Sequence, residues 1–139
     1  MRLRLITVLL LLVAFATPAL ALPKPTGYVS DLAKLLTAKQ EKDIKSWLLD
    51  YYFAQNLEIF VATVKNPSDS YAEKLLNYWH VGKPSQNNGL LLLINAQGDI
   101  GLGTGKLAQL YLKASDKRWL AKKVKAAHKG NLEQTIITT

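Results

Sequence analysis

Two stretches of sequence decide the fold of this chain: Leu57-Glu-Ile-Phe-Val-Ala-Thr-Val64 and Gly89-Leu-Leu-Leu-Leu-Ile-Asn95. In an extended strand, alternate side chains point to opposite faces, and in both stretches both faces are largely apolar. Such strands are typical of the interior of a sheet that other elements cover on two sides. The sequence therefore predicts two interior strands.

Helical segments precede and separate these strands. Thr37 can cap the start of a first helix. Gln40 is at the position whose side chain accepts the backbone amide of the capping residue in a capping box. This helix should end near residues 54–56, and its apolar residues have helical spacing: Ile44, Trp47, Leu48, Tyr51 and Tyr52. Ser70 with Glu73 is a second capping-box pattern, and the helix that it opens carries Tyr71, Ala72, Leu75, Leu76 and Trp79.

The remaining segments complete an α/β pattern. Residues 29–36 are predicted to form a turn or one helical turn before the first helix. Gln97-Gly98-Asp99 is typical of a tight turn, so residues 100–103 should form a third strand paired with the second. A short helix over 107–113 and a longer one over 115–128 should follow. Because interior strands need helices on both faces, the predicted fold class is α/β, a three-layer αβα sandwich with a central sheet covered by helices on both faces.

The first 21 residues have the order of parts of a secretory signal peptide. Two arginines precede an apolar run over 5–16, and Ala19-Leu20-Ala21 provides a small-x-small exit. The run is shorter than the roughly 20 apolar residues that a spanning helix needs, which argues against an uncleaved anchor. We therefore predict cleavage after Ala21, a single domain over residues 22–139, and an exported protein that is periplasmic or secreted.

The composition narrows the classes of partner. The chain has 18 basic and 10 acidic residues, a net charge of +8, and the leader's two arginines account for two of the basic ones. Many lysines fall within residues 113–129, where they form either a solvated helix face or a patch for an anionic membrane surface or an acidic envelope protein. No nucleic-acid-binding motif occurs, so nucleic acid is not an expected partner. The absence of cysteine excludes disulfides, and two histidines are too few for a zinc cluster.

Taken together, these segments resemble the TPM domain family over nearly all of residues 26–135. The resemblance is carried by the order and spacing of short stretches: Val29-Ser30-Asp31, Glu58 to Val64, Tyr71-Ala72 with Trp79, Val81-Gly82, Asn88 to Ile94, Gly103 and residues 130–133. It implies an αβα sandwich with a central sheet. It also implies a chemistry, because some members are described as acid phosphatases and metal binding, calcium in particular, is associated with the domain.

The sequence departs from the family pattern at places that bear on that chemistry. The family often has an aspartate before the Asn-Gly pair, where this chain has Asn87. An acidic residue often follows the glycine loop, where this chain has Lys106. The hairpin after the second strand often carries basic residues, where this chain has Gln97 and Asp99. Each departure weakens the transfer of metal or phosphate chemistry to this chain.

The candidate site residues are oxygen donors in or beside loops. Asp31 is a weak candidate for catalysis and a candidate ligand of calcium or another divalent cation; alternatively, its carboxylate caps the backbone of the following turn. Asn87, Asn88 and Gly89 are further candidate metal ligands; alternatively, the Asn-Gly turn needs them for its positive φ angles.

The glycine loop offers a different kind of site. Gly101, Gly103 and Gly105 alternate, but their spacing is not that of a dinucleotide fingerprint, so close packing or a flexible lip is the favoured interpretation. Thr104 and Lys106 could nevertheless contact an anion there.

Two functions follow from these residues. The first is an exported envelope module of the TPM type that binds a partner or helps to maintain other proteins and has little or no catalytic activity; the resemblance implies that it also binds calcium. The alternative is a metal-dependent acid phosphatase acting on phosphate monoesters, in which a metal polarises the phosphoryl oxygen and activates water.

Overall fold

The computed structural model describes residues 21–112, 115, 117–118 and 136–137. Within residues 21–112 the elements are, in chain order, β1 (Val29–Asp31), α1 (Ala38–Gln55), β2 (Glu58–Thr63), α2 (Asp69–Tyr78), β3 (Gly89–Ile94), β4 (Ile100–Thr104) and α3 (Lys106–Tyr111). No helix among the described residues combines the length and the apolar character needed to cross a bilayer.

The strands form one four-stranded sheet in the order β1-β2-β3-β4. The first three strands are parallel, and β4 runs antiparallel to β3. Glu58 pairs with Gly89 and Thr63 pairs with Ile94, so β2 and β3 lie side by side along their whole length. The two predicted interior strands and the hairpin after them are confirmed.

Helices cover both faces of this sheet. On one face, α1 packs Ile44 and Leu48 against Val61 of β2 and against β3 side chains that include Leu92. On the other face, α2 packs against alternate residues of the same two strands. The buried cluster there comprises Ala62, Val64, Ala72, Leu75, Leu76, Trp79, Val81, Leu91 and Leu93. The predicted three-layer arrangement is therefore confirmed.

Two local predictions were wrong. Residues 29–31 form a strand rather than a helical turn, because Val29 pairs with Val61 and extends the sheet by one strand. The N-cap of α2 is Ser68, whose hydroxyl accepts the Tyr71 amide at 3.2 Å, and not Ser70. At the start of α1, Thr37 and Gln40 form the predicted capping box.

Close contact between α2 and β4 depends on glycine. A Cβ atom at Gly103 would lie 2.6 Å from the Ala72 carbonyl oxygen, well inside van der Waals contact. The favoured interpretation of the alternating glycines as packing positions therefore holds at this position. Of the longer helix predicted over 115–128, residues 115, 117 and 118 are described and are helical; the rest of it, with most of the late lysines, lies outside the described residues.

The two crossover connections have opposite hands. The chain steps from β1 to β2 and from β2 to β3 in the same direction across the sheet, yet α1 and α2 lie on opposite faces. Two right-handed crossovers stepping in one direction would place both helices on one face, so one of these connections is left-handed. Such connections are rare, since about 98% of crossovers between parallel strands are right-handed.

Candidate functional site

Asp31 lies at the carboxyl end of β1, and both of its carboxylate oxygens accept hydrogen bonds from neighbouring groups. One oxygen accepts the Leu35 amide at 2.9 Å and the Thr63 hydroxyl, and the other accepts the Leu36 amide at 3.0 Å. These bonds fix the turn that leads from β1 into α1. The geometry is that of the cap interpretation, in which the carboxylate oxygens satisfy backbone donors.

The Asn87-Asn88-Gly89 segment lies at the amino end of β3, and its three backbone oxygens and the Asn88 side-chain oxygen accept hydrogen bonds. Asn88 is buried; its side-chain oxygen accepts the Lys83 amide and its amide nitrogen donates to the Asn56 carbonyl, both at 2.8 Å. The backbone carbonyl of Asn87 accepts the Leu107 amide, and that of Gly89 accepts the Gly105 amide. Asn87 has a φ of 49°, the left-handed conformation that the turn interpretation requires.

The sheet register keeps these two groups apart. Asp31 pairs with Thr63, whereas Gly89 pairs with Glu58, five residues earlier on the same strand. At about 3.3 Å per residue, this places them roughly 17 Å apart along the strand direction. One ion cannot bind both groups, since calcium–oxygen distances are about 2.3–2.6 Å. Within the described part of the chain, no cluster of three or more acidic or histidine side chains could hold a metal. Calcium binding stays a prediction.

A cleft of about 390 Å³ lies at the amino edge of β3. Its walls are the end of α2, the loop over residues 80–88 and the junction between β4 and α3. The polar and charged side chains that line it are Asn77, His80, Lys83, Asn87, Thr104, Lys106 and Gln109, and none of the described lining residues is acidic. The cleft is therefore cationic, and it contains both Asn87 and Lys106, two of the positions at which the sequence departs from the family pattern.

Thr104 is the unusual member of this lining. It is only 7% exposed, and its hydroxyl oxygen is the one buried side-chain polar atom without a hydrogen-bond partner among the described residues. An unsatisfied buried hydroxyl costs about 1–3 kcal/mol. Thr104 lines the cleft, but its hydroxyl oxygen exposes less than 1 Å², and its strand partner Leu90 packs in the apolar cluster on the α1 face.

A second polar group lies behind the loop wall of the cleft. Glu58, at the start of β2, accepts the backbone amide of Gly82, and its carboxylate interacts with the phenol of Tyr28. Burial chiefly raises the pKa of Tyr28, and the charge of Glu58 raises it further. The Lys83 amine lies 5.5 Å from the centre of the Tyr52 ring, and its pKa is raised mainly by a hydrogen bond to that phenol.

Sequence reasoning found part of this cleft. It singled out Asn87, Thr104 and Lys106 separately, and the structure brings all three into one lining. It missed Lys83, and it missed the support that Glu58 gives to the loop. The sequence did mark Glu58 as unusual, because it is the single charged residue in the predicted strand over residues 57–64.

Comparison with known proteins agrees with this architecture. The model of the TPM domain family matches residues 29–139. Among solved structures, the chain is similar to the N-terminal domain of a P. gingivalis protein, with a TM-score of 0.67 and 27% identity, covering 81% of this chain and 76% of that one. It also shares the fold of the N-terminal domain of a Corynebacterium glutamicum protein, with a TM-score of 0.61 and 11% identity, covering 86% and 78%. A search of curated proteins found no match.

Replacing Asp31 should destabilise the fold. We expect Asp31→Ala to lower the free energy of unfolding by about 1–3 kcal/mol, because two backbone amides and a hydroxyl lose their acceptor. Asp31→Asn, which keeps one oxygen, should cost less. Urea unfolding, with and without calcium, measures both effects. The exposed Asp50→Ala serves as the control, with an expected change within about 0.5 kcal/mol. Stabilisation by calcium that disappears in Asp31→Asn would contradict a purely capping role.

Tyr28 should ionise later than an ordinary tyrosine, whose pKa is 10.0. Because the pKa is higher in the folded state, the neutral phenol contributes stability below about pH 10 that is lost as the pH rises toward the folded-state pKa. Phenolate absorbance followed by alkaline titration should show a late-ionising phenol that is absent in Tyr28→Phe. The late phase should persist in Tyr78→Phe, which removes an exposed phenol; persistence in Tyr28→Phe would refute the assignment.

Proposed function

The chain belongs to the TPM domain family, and from this membership we propose that it is an exported envelope protein that binds a partner through the cationic cleft and has little or no catalytic activity. The observation that carries this proposal is the composition of the cleft. Two lysines and a histidine line it, and no acidic side chain among the described residues does.

The charge of the cleft favours an anionic partner over a divalent cation. A hard cation binds to several oxygen ligands, commonly carboxylates. Here Lys83 and Lys106 would repel such an ion, and the side-chain oxygen of Asn88 is already used inside the protein. An acidic envelope protein or an anionic membrane surface would be attracted instead.

Metal-dependent phosphatase chemistry finds less support in these residues. Asp31 and the Asn87–Gly89 segment do not converge, and every oxygen of Asp31 caps a neighbouring donor. Asp31, Asn87, Asn88 and Gly89 therefore cannot hold one metal ion together, so metal-assisted hydrolysis cannot be assigned to this set of residues. A cationic cleft can still attract a phosphate monoester, so turnover has to be measured directly.

The proposed cleavage after Ala21 is compatible with the contacts that the next residues make. Leu22 packs against the apolar cluster on the α2 face, and the Trp79 indole nitrogen donates to the Pro23 carbonyl at 2.7 Å. The folded domain therefore uses residues that directly follow Ala21. Cleavage after Ala21 would release a chain that keeps these contacts.

Expression of the full chain in a bacterium with a periplasm tests export. We expect the intact mass of the exported product to correspond to a chain that begins at Leu22, because peptidase cleavage requires the small residue at position 21. Ala21→Arg should leave the precursor uncleaved, whereas Ala14→Val, inside the apolar run, should be processed normally. Recovery of the uncleaved wild-type chain in the cytoplasm would refute export.

Assays of the purified mature domain test the absence of significant catalysis. A generic phosphate monoester should not be hydrolysed between acid and neutral pH, with calcium, with magnesium or with a chelator, because the described residues offer no shared metal site. Metal-dependent turnover that is lost in a folded Asp31→Asn variant would overturn the proposal in favour of the phosphatase. Turnover that is equal in wild type and variant and keeps a constant specific activity through purification would also overturn the proposal, whereas turnover that purification removes comes from a contaminating enzyme.

A further inference from the structure

We propose that the amino edge of the sheet docks onto an anionic membrane surface, where the aromatic rings at the end of α1 enter the headgroup region and the lysines of the cleft bind the headgroups. We call this surface, which comprises Tyr52, Phe53, Lys83 and Lys106, the aromatic–lysine rim. This inference rests on the proposed partner-binding function and names the partner of the cleft.

Phe53 is the side chain of the rim that the folded domain does not explain. It is 80% exposed in the last turn of α1. Single exposed apolar residues are ordinary on protein surfaces, so its neighbours matter. Its ring centre lies 5.5 Å from that of Tyr52, and the Lys83 amine lies 5.5 Å from the centre of the Tyr52 ring. The exposed ring is therefore one end of a contiguous row that leads to the cleft.

The topology places this row and the cleft on one edge of the sheet. The end of α1 leads into β2, the loop that carries Lys83 leads into β3, and Lys106 follows the end of the antiparallel β4. A hydrogen bond of 3.2 Å from the Asn56 side chain to that of Gln86 joins the end of α1 to the loop. Lys83 and Lys106 line the same cleft. The two rings and both ammonium groups thus share one surface.

The rim has a surplus of positive charge. Lys83 and Lys106 are exposed. The carboxylate of Glu58 lies behind the loop, where it is half-buried and accepts a backbone amide of that loop. The exposed Asp50 lies three residues before Phe53 on α1, so it borders the rim on the helix side. Two exposed ammonium groups beside one exposed carboxylate favour a negatively charged surface as the partner.

A membrane interface accommodates both parts of the rim at once. Aromatic rings are enriched at the membrane–water interface, where the ring enters the acyl boundary while a phenol or ammonium group stays at the headgroups. An acidic protein would match the lysines, but it would need a pocket of complementary shape for Phe53. The bilayer interface adapts to the ring without such a pocket. One exposed ring and two lysines give weak, reversible docking rather than stable anchoring.

Sedimentation with vesicles tests the docking surface. The mature domain should bind to vesicles of phosphatidylglycerol and phosphatidylcholine in equal amounts, about tenfold or more tightly than to phosphatidylcholine alone, and salt should weaken this binding steeply. Lys83→Gln and Lys106→Gln should each weaken it about fivefold. Lys65→Gln is the matched control, because Lys65 is an exposed lysine that follows β2 at the opposite edge of the sheet. A loss in Lys65→Gln equal to that in the rim variants would overturn the inference.

Substitutions of Phe53 separate insertion of the ring from attraction by charge. Phe53→Ala should weaken binding to the anionic vesicles about tenfold, because the ring no longer leaves water. Phe53→Trp should bind at least as tightly as the wild type, since an indole favours the same interface. Both variants should melt at the wild-type temperature, because the position is exposed. Wild-type affinity in Phe53→Ala would show that the ring does not enter the membrane and would overturn the rim.

The orientation on the membrane has its own readout. The chain has no cysteine, so a single introduced cysteine reports on one position. Phe53→Cys and Lys65→Cys are each labelled with a fluorophore whose emission shifts to the blue when it leaves water. On binding to the anionic vesicles, the emission should shift at position 53 and not at position 65. A shift at position 65 alone, or at neither position in sedimented protein, would place the contact elsewhere.

The remaining outcomes separate this inference from the proposed function. Loss of vesicle binding when Lys122, Lys123 and Lys125 are changed to Gln, with none in Phe53→Ala, would assign the contact to the late lysines and overturn the rim. Absence of binding to anionic vesicles at low salt would overturn the membrane assignment and leave an acidic protein as the partner. Hydrolysis of a phosphate monoester with intact vesicle binding would overturn the proposed function but not the rim.

Discussion

The parallel pairing of β2 with β3 is the constraint on which the rest of the structure depends. Both strands are apolar on both faces, so neither can border water on either side. The register that joins Glu58 to Gly89 and Thr63 to Ile94 directs alternate side chains of both strands to the same face. Two separate apolar clusters result, and each needs its own helix. A shift of one residue would exchange the two faces and mismatch both helices.

The same pairing determines where the cleft forms. Because β4 runs antiparallel to β3, its carboxyl end returns to the amino edge of the parallel strands and delivers Thr104, Gly105 and Lys106 there. The loop after α2 must reach the same edge to begin β3 at Gly89. Ligand sites of open parallel sheets usually lie at the carboxyl ends of the strands. The antiparallel β4 and the loop that begins β3 instead bring two polar segments together at the amino edge.

The sequence predicted those helices and strands that are marked by a pattern of neighbouring residues, such as an apolar run or a capping box. The five consecutive apolar residues from Leu90 to Ile94 and the Thr37 capping box needed no tertiary information. The strand over residues 29–31 could not be predicted in the same way, because three residues carry no periodicity and pair only after β2 is in place. The distance between Asp31 and Asn87 could not be predicted either, because it depends on the register in which β1 and β3 pair with β2. An orphaned hydroxyl such as that of Thr104 has no sequence signature, since its neighbours come from elsewhere in the chain.

Asn87 and Lys106 together change what the cleft can do. A carboxylate at either position would add negative charge and favour a divalent cation, which could then polarise a phosphoryl oxygen and activate water. An amide and an ammonium provide the opposite balance: positive charge that attracts an oxyanion, without a Lewis acid to generate hydroxide. A divalent cation would be repelled by the lysines of the cleft, so the charge pattern of the cleft favours recognition of an anion over metal-assisted hydrolysis.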